Sequence, residues 1–294
     1  MINSSDIETT LPQISEIQKG MLYLVSTPIG NLGDITLRAL HTLKSVDLVF
    51  CEDTRISNRL LKAYKIKASL HIYNDHSTSR ERQKILKALE DNKSVALISG
   101  AGTPLISDPG YKLVSACQEA DVPITLVPGP TALIHGLVIS GLPTNQFYFG
   151  GFLPSKKKDR QEKLELLRTL SATLIFYETG PKLLKTLEEF NIFFKERVLV
   201  LGRELTKKFE QVHKGFVSDL LSYYIKNGPP KGEIVLILEG QKKEESSTSI
   251  NPQICKALLE KMSMKDATDF LSKFLKCSRN IAYKALLDIK NENP

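Results

Sequence analysis

The chain has 294 residues, 41% hydrophobic and 25% charged, which is long enough for two core-bearing domains and too apolar to be disordered. Its four cysteines (Cys51, Cys117, Cys255, Cys277) form no CxxC pair, arguing against a disulfide framework or zinc ribbon. No apolar run approaches the roughly 20 residues that span a bilayer, and the polar N-terminal segment lacks a signal-peptide core, so a cytoplasmic protein is expected. The formal charge of +7 favours a polyanionic partner without locating a site for one.

After an N-terminal segment over 1–20 expected to be flexible, apolar runs at 23–26, 47–50, 70–73, 95–98 and 124–127 alternate with helical patterns. That spacing predicts βαβ units with a mostly parallel sheet covered by helices on both faces. Between the third and fourth strands, Ser77, Thr78 and Ser79 offer N-caps, Ile85, Leu86 and Leu89 recur at helical spacing, and Asp91-Asn92 ends the helix.

A first α/β domain is expected over 21–130 and a second over 131–240, with strands at 173–177, 198–201 and 234–238 and a hinge near 128–141. Gly150-Gly151-Phe152-Leu153-Pro154 reads as an interdomain turn or, less simply, as a hinge beside a base-stacking platform. The Lys, Glu, Ser and Thr of 241–250 read as a linker. Three short amphipathic helices near 254–259, 267–275 and 281–289 form a small helical domain over 251–294.

Ligands of open α/β sheets sit beyond the carboxyl ends of strands, so the loops there carry the search. Ser26-Thr27-Pro28-Ile29-Gly30-Asn31-Leu32-Gly33-Asp34 and Ser99-Gly100-Ala101-Gly102-Thr103-Pro104-Leu105-Ile106-Ser107-Asp108-Pro109-Gly110 match neither GxGxxG nor a Walker motif. Each is either a plain tight turn or a place where glycine lets a ligand approach the backbone. Glu52-Asp53-Thr54-Arg55 opens a stretch from 55 to 67 with basic residues and no acid, either a solvated helix face or a phosphate-facing surface. Lys156, Lys157 and Lys158 make a second basic stretch, and Glu178, Arg203, Glu204 and Lys207 stand in polar clusters flanking strands. The histidines show no metal-ligand spacing, so no metal is expected.

These two loops, together with Glu52-Asp53-Thr54-Arg55, Pro128-Gly129-Pro130 and Arg203-Glu204-Leu205-Thr206-Lys207, resemble the tetrapyrrole methylase family, in its branch that acts on ribosomal RNA. The resemblance runs in order from about residue 21 to 240. It implies two α/β domains of the tetrapyrrole methylase type with S-adenosylmethionine in the cleft between them, plus a small C-terminal helical domain. The implied activity is 2'-O-methylation of a cytidine ribose in 16S rRNA at the decoding centre, by a homodimer working on the small ribosomal subunit.

Carried over to this chain, the donor site would be Pro28, Gly30, Gly100, Ala101, Gly102, Thr103, Pro128, Gly129, Pro130 and Tyr177. The family pattern has aspartate where this chain has Gly100. Candidates to take or orient the hydroxyl proton are Glu52, Asp53, Glu178, Glu204 and Lys207, which the sequence does not rank. Arg55, Arg59, Lys156, Lys157, Lys158 and Arg203 are the expected RNA contacts. Two other readings stay open: a methylase of a small tetrapyrrole macrocycle, and a non-catalytic RNA-binding assembly factor.

Overall fold

Strand β1 (Leu22–Val25) turns Leu22 and Leu24 to one face and Tyr23 and Val25 to the other, since side chains alternate along a strand. Both sets are buried. The computed structural model describes residues 15–242, 250–275 and 277–292. Residues 1–14 of the expected flexible segment and 243–249 of the expected linker lie outside them. Within the described part, the Gln18 amide donates to the Tyr23 hydroxyl at 2.8 Å, and the Lys19 ammonium pairs with Asp47 at 2.7 Å.

Around β1 the chain forms β2 (Leu48–Cys51), β3 (Leu70–Ile72), β4 (Val95–Ile98) and β5 (Ile124–Val127), a five-stranded parallel sheet in the order β3-β2-β4-β1-β5. Helices α1 (Leu37–Ser45) and α2 (Thr54–Ala63) pack Ala39, Leu43 and Leu61 against Tyr23, Val25, Val49 and Ile98. Helices α3 (Ser79–Glu90) and α4 (Tyr111–Glu119) pack Ile85, Leu89, Leu113 and Cys117 against Leu22, Leu24, Val95 and Leu97. The start of α3 is a capping box between Thr78 and Glu81, and Asp91 caps its end, so its boundaries follow from local chemistry.

The connection from β1 leaves towards β2, whereas that from β4 crosses back to β5. Two adjacent strands whose connections depart in opposite directions open a crevice at their carboxyl ends. The two glycine-bearing loops lie there, joined by a bridge in which the Thr27 and Gly102 amides and carbonyls exchange hydrogen bonds at 2.8 and 3.0 Å.

Helix α5 (Ala132–Ser140) occupies the stretch expected to act as a hinge and packs Leu133 and Leu137 on a second sheet, against Ile175, Val200, Val235 and Ile237. That sheet runs β6 (Phe147–Phe152), β7 (Thr173–Thr179), β10 (Glu233–Leu238), β8 (Val198–Arg203), β9 (Gln211–Phe216). Only β6 and β7 are parallel; the remaining pairs are antiparallel. Its other face is covered by α6 (Lys157–Leu167), α7 (Gly180–Phe194) and α8 (Val217–Asn227), around fully buried Phe176 and Phe190, each worth about 1.5–3 kcal/mol of burial.

The turn expected at 150–154 is corrected. Strand β6 continues through both glycines to Phe152, with its register against β7 shifting between Phe149 and Phe152. Gly151, at φ +59, takes up the extra residue as a bulge, a conformation that costs glycine little. Strand β9 was not anticipated because Gln-Val-His-Lys-Gly-Phe is an edge strand with no fully buried position, and so lacks the apolar run of a central one.

The chain divides into two compact units, before and after Gln241 and Lys242. In the second, α9 (Pro252–Lys261), α10 (Met264–Phe274) and α11 (Arg279–Glu292) enclose Cys255, Ala267, Leu271, Ala282 and Leu286.

Candidate active site

Between the crevice of the first sheet and the α5 face of the second lies a cavity of about 350 Å³, within the size range of small-molecule sites. From the β4 loop it takes Gly100, Ala101, Gly102, Thr103, Ile106, Ser107 and Asp108; from the second sheet, Phe152, Tyr177, Glu178, Glu233 and Val235, with Leu205 and Lys207 from the loop after β8; and from elsewhere Ile29, Glu52, Thr131 and Ala132.

Its loops hold unusual backbone. Leu105, Ser107, Glu204 and Thr206 all have φ between +50 and +72, a left-handed conformation that costs a side-chain-bearing residue free energy and needs surrounding contacts to persist. Thr103 supplies some of them: its hydroxyl shares hydrogen bonds with Ser26 (3.0 Å) and Thr131 (2.6 Å) and reaches the Pro130 carbonyl at 3.2 Å. One side chain thereby ties together the loops after β1, β4 and β5.

The expected donor residues Gly100, Ala101, Gly102, Thr103 and Tyr177 come together on this cavity. Gly129 and Pro130 instead line a neighbouring cavity of about 360 Å³ that shares Ile29 and Thr131 with the first. Pro28, Gly30 and Pro128 line neither. Gly30 lies against Lys207, where an added Cβ would come within 2.4 Å of the lysine Cγ. Tyr177 receives the Leu133 amide on its hydroxyl at 3.2 Å and meets Phe149 edge-on at 4.9 Å; burial pushes its phenol up to about 12.

Among the proton-handling candidates, Glu52, Glu178 and Lys207 line the cavity and Asp53 and Glu204 do not. Asp53 caps α2 through the Arg55 amide at 2.7 Å and pairs with the Arg55 guanidinium at 2.7 Å, which holds its carboxyl down at about 2. Glu178 is buried and accepts from the Thr186 hydroxyl at 2.6 Å and the Thr179 amide at 2.8 Å. Lys207 pairs with Glu204 at 2.9 Å and Glu233 at 2.6 Å, and both raise its ammonium above the ordinary lysine value against a burial that lowers it.

Arg55, Arg59, Lys156, Lys157 and Lys158 are exposed. Arg203 is half-buried and donates to the Lys231 carbonyl at 2.6 Å and the Gln211 side chain at 3.0 Å. No group of three His, Cys, Asp or Glu among the described residues is placed to hold a metal ion.

Asp108 was missed. It stands in the Ser107-Asp108-Pro109-Gly110 motif, six residues beyond Gly102, and only the fold of the loop returns it to the cavity. Burial, then the negative charge of Glu52, raises its carboxyl to about 7 from an ordinary 3.8, against a lowering hydrogen bond from Ser99.

The sequence pattern of the Tetrapyrrole (Corrin/Porphyrin) Methylases matches residues 21–221, which includes both glycine-bearing loops and most of the cavity. The chain belongs to that family. Within the family it is 40% identical to the ribosomal RNA small subunit methyltransferase I of Escherichia coli O157:H7, over 94% of this chain and 98% of that one. It is 47% identical to the protein of the same name from Erythrobacter litoralis, over 92% and 95%. Among solved structures it shares the fold of a cobalt precorrin-4 methyltransferase of cobalamin biosynthesis at a TM-score of 0.55 and 18% identity, over 78% of this chain and 97% of that one. The methylase fold accounts for the first unit; the helices of the second lie beyond the matched pattern.

Proposed function

We propose that this chain is an S-adenosylmethionine-dependent methyltransferase that modifies the 2'-hydroxyl of a cytidine ribose in 16S rRNA, at the decoding centre of the small ribosomal subunit. The observation that carries this reading is identity of 40% or more, over at least nine-tenths of the chain, to two proteins named as ribosomal RNA small subunit methyltransferase I.

The cavity suits an amphipathic cation such as this donor. Ile29, Ile106, Leu205, Val235 and Tyr177 give it apolar and aromatic wall, and Glu52 and Asp108 give it carboxylates. Among the described residues, no hydrogen bond within the chain uses the amides of Gly100, Ala101 or Thr103, which leaves these donors for a ligand. The donor would be held by the Gly100–Thr103 backbone and Tyr177, and it supplies an electrophilic methyl group on sulfur. The protein's part is then to align the ribose oxygen and to accept its proton.

Arg55 and Arg59, on and beside the first turn of α2, and Lys156, Lys157 and Lys158, at the start of α6, are the phosphate contacts in this reading. The active form is taken to be a homodimer in the cytoplasm. Ile134 and Val138 are one turn apart on α5 and 45% and 67% exposed, a face that a second copy would cover, and no helix among the described residues is long and apolar enough to cross a membrane.

The test is methylation of 30S subunits lacking the modification, with ribose methylation mapped along 16S rRNA. One methylated cytidine, with RNA affinity falling steeply as salt rises, is expected. Methyl transfer to a tetrapyrrole macrocycle and none to RNA would overturn the reading.

A further inference from the structure

We propose that Asp108 is the catalytic residue that accepts the substrate proton, with Glu52 as the positioning residue beside it. This rests on the methyltransferase reading above. Reaction of a ribose hydroxyl with a sulfonium methyl forms an oxygen–carbon bond and breaks a sulfur–carbon bond, whose electron pair stays on sulfur. It also breaks the O–H bond, and the released proton needs an acceptor at the reacting oxygen; here it passes to the Asp108 carboxylate and on to water.

Four of the five acid–base groups expected from the sequence are engaged elsewhere. Asp53 caps α2 and holds Arg55; Glu178 is saturated by Thr186 and Thr179 inside the second sheet. Glu204 accepts from the Glu233 amide at 3.1 Å and from Lys207, whose ammonium is shared between Glu204 and Glu233. What remains on the cavity wall is Glu52, exposed at the end of β2, and Asp108, half-buried in the β4 loop.

The surroundings separate these two. The loop that carries Asp108 has Leu105 and Ser107 at positive φ, and the following Gly110 sits at φ +137, a conformation that side-chain-bearing residues rarely adopt. The carboxylate is thus placed by a backbone that is rigidly specified on both sides. The charged and titratable groups that face it are Glu52 just after β2, Asp75 from the loop after β3 and Tyr177 from β7, with Lys207 further along the same wall. A desolvated site, then the charges of Glu52 and Asp75, favour the protonated acid and bring its titration to about pH 7, where a general base works best near neutrality.

The experiment compares wild type with Asp108→Asn, Asp108→Glu and Glu52→Gln in full-length protein. S-adenosylmethionine binding is measured by calorimetry, turnover on 30S subunits is followed from pH 5.5 to 9, and the Asp108 carboxyl is titrated by carbon NMR in the free protein. Asp108→Asn is expected to bind the subunit within about threefold of wild type and the donor within about tenfold, since it also removes one carboxylate beside the cation, and to lose at least 100-fold in kcat, a loss at the lower end of what general bases contribute. Asp108→Glu should regain part of kcat and keep a rise with pH, which also guards against misfolding of the amide variant. Wild-type kcat/KM, which reports the groups of the free enzyme, should rise through a single inflection near pH 7, matching the NMR titration, and Glu52→Gln should move both to lower pH.

Undiminished kcat in Asp108→Asn, a loss confined to KM or donor affinity, or a carboxyl titrating near 4 would each overturn the assignment. Wild-type protein that methylates no RNA would overturn the methyltransferase reading, and this assignment with it. An active wild type with an equally active Asp108→Asn overturns this assignment alone.

Discussion

The backbone amide of Asn31 donates to the Thr206 hydroxyl across 3.1 Å, which joins the loop after β1 to the loop after β8 next to the point where Lys207 packs over Gly30. Thr206 holds its left-handed φ of +66 while its own amide is bonded to Glu210 at 2.5 Å, so the contact reports on a specified loop. Thr206→Val, which keeps shape and removes the hydroxyl, is expected to raise the donor Kd about 3- to 10-fold in calorimetry, and to cost about 1 kcal/mol of stability, the net worth of one hydrogen bond.

Gly100 has room. A Cβ there would meet nothing closer than the Glu52 Oε2 at 3.8 Å, an ordinary contact. Gly100→Asp is therefore expected to melt within about 2 °C of wild type, a shift that corresponds to under 1 kcal/mol. A third carboxylate beside a cationic donor should tighten its binding about 3- to 10-fold; unchanged affinity would show that the missing carboxylate does not limit binding here.

Gly180 has none. An added Cβ would sit 2.0 Å from the Pro230 carbonyl oxygen, where the start of α7 passes the segment before β10, and backbone cannot step aside as a flexible side chain can. Gly180→Ala is expected to lose at least about 2 kcal/mol in urea unfolding through forced backbone shift, and with it the position of Tyr177 three residues earlier.

Asp47 accepts from Lys19 at 2.7 and 2.8 Å and from the Ser94 amide and hydroxyl at 2.6 and 2.7 Å. The Lys19 contact first, then Ser94, holds its carboxyl at about 2 against an ordinary 3.8. Because the folded value is the lower one, the stabilisation is complete above about pH 4 and is lost as pH falls towards 2. With Lys19 about half exposed, solvent screening leaves roughly 1 kcal/mol. Asp47→Asn should lose that amount at pH 7 and flatten the acid limb of the stability profile between pH 4 and 2.

Arg160 of α6 and Glu189 of α7 form a buried ion pair, with a guanidinium nitrogen 2.6 Å from the carboxylate and side chains only 6% and 7% exposed. Removing one partner strands a buried charge, so Glu189→Ala is expected to cost about 3–5 kcal/mol, whereas the double change Arg160→Met with Glu189→Leu should recover most of it. Urea midpoints at constant m-value check both.

The succession of strands and helices along the first domain, the cap of α3 at Thr78 and the two glycine-bearing loops could be read from the chain. Each is local: apolar runs, a capping pair four positions wide, and glycines next to strand ends. The bulge at Gly151 and edge strand β9 could not, because a bulge depends on its partner's register and an edge strand needs no apolar run.

The choice among acid–base residues also lay beyond the sequence. Asp53, Glu178 and Glu204 look equivalent to Glu52 as residue types, and only their partners Arg55, Thr186 and Lys207 distinguish them. Asp108 becomes a candidate because a loop with two left-handed residues turns its carboxylate back beside Glu52. Sequence settles what repeats along the chain or lies within a few residues. Burial and the charge of distant neighbours, which decide whether a carboxylate keeps its proton, exist only once two sheets have closed on a common cavity.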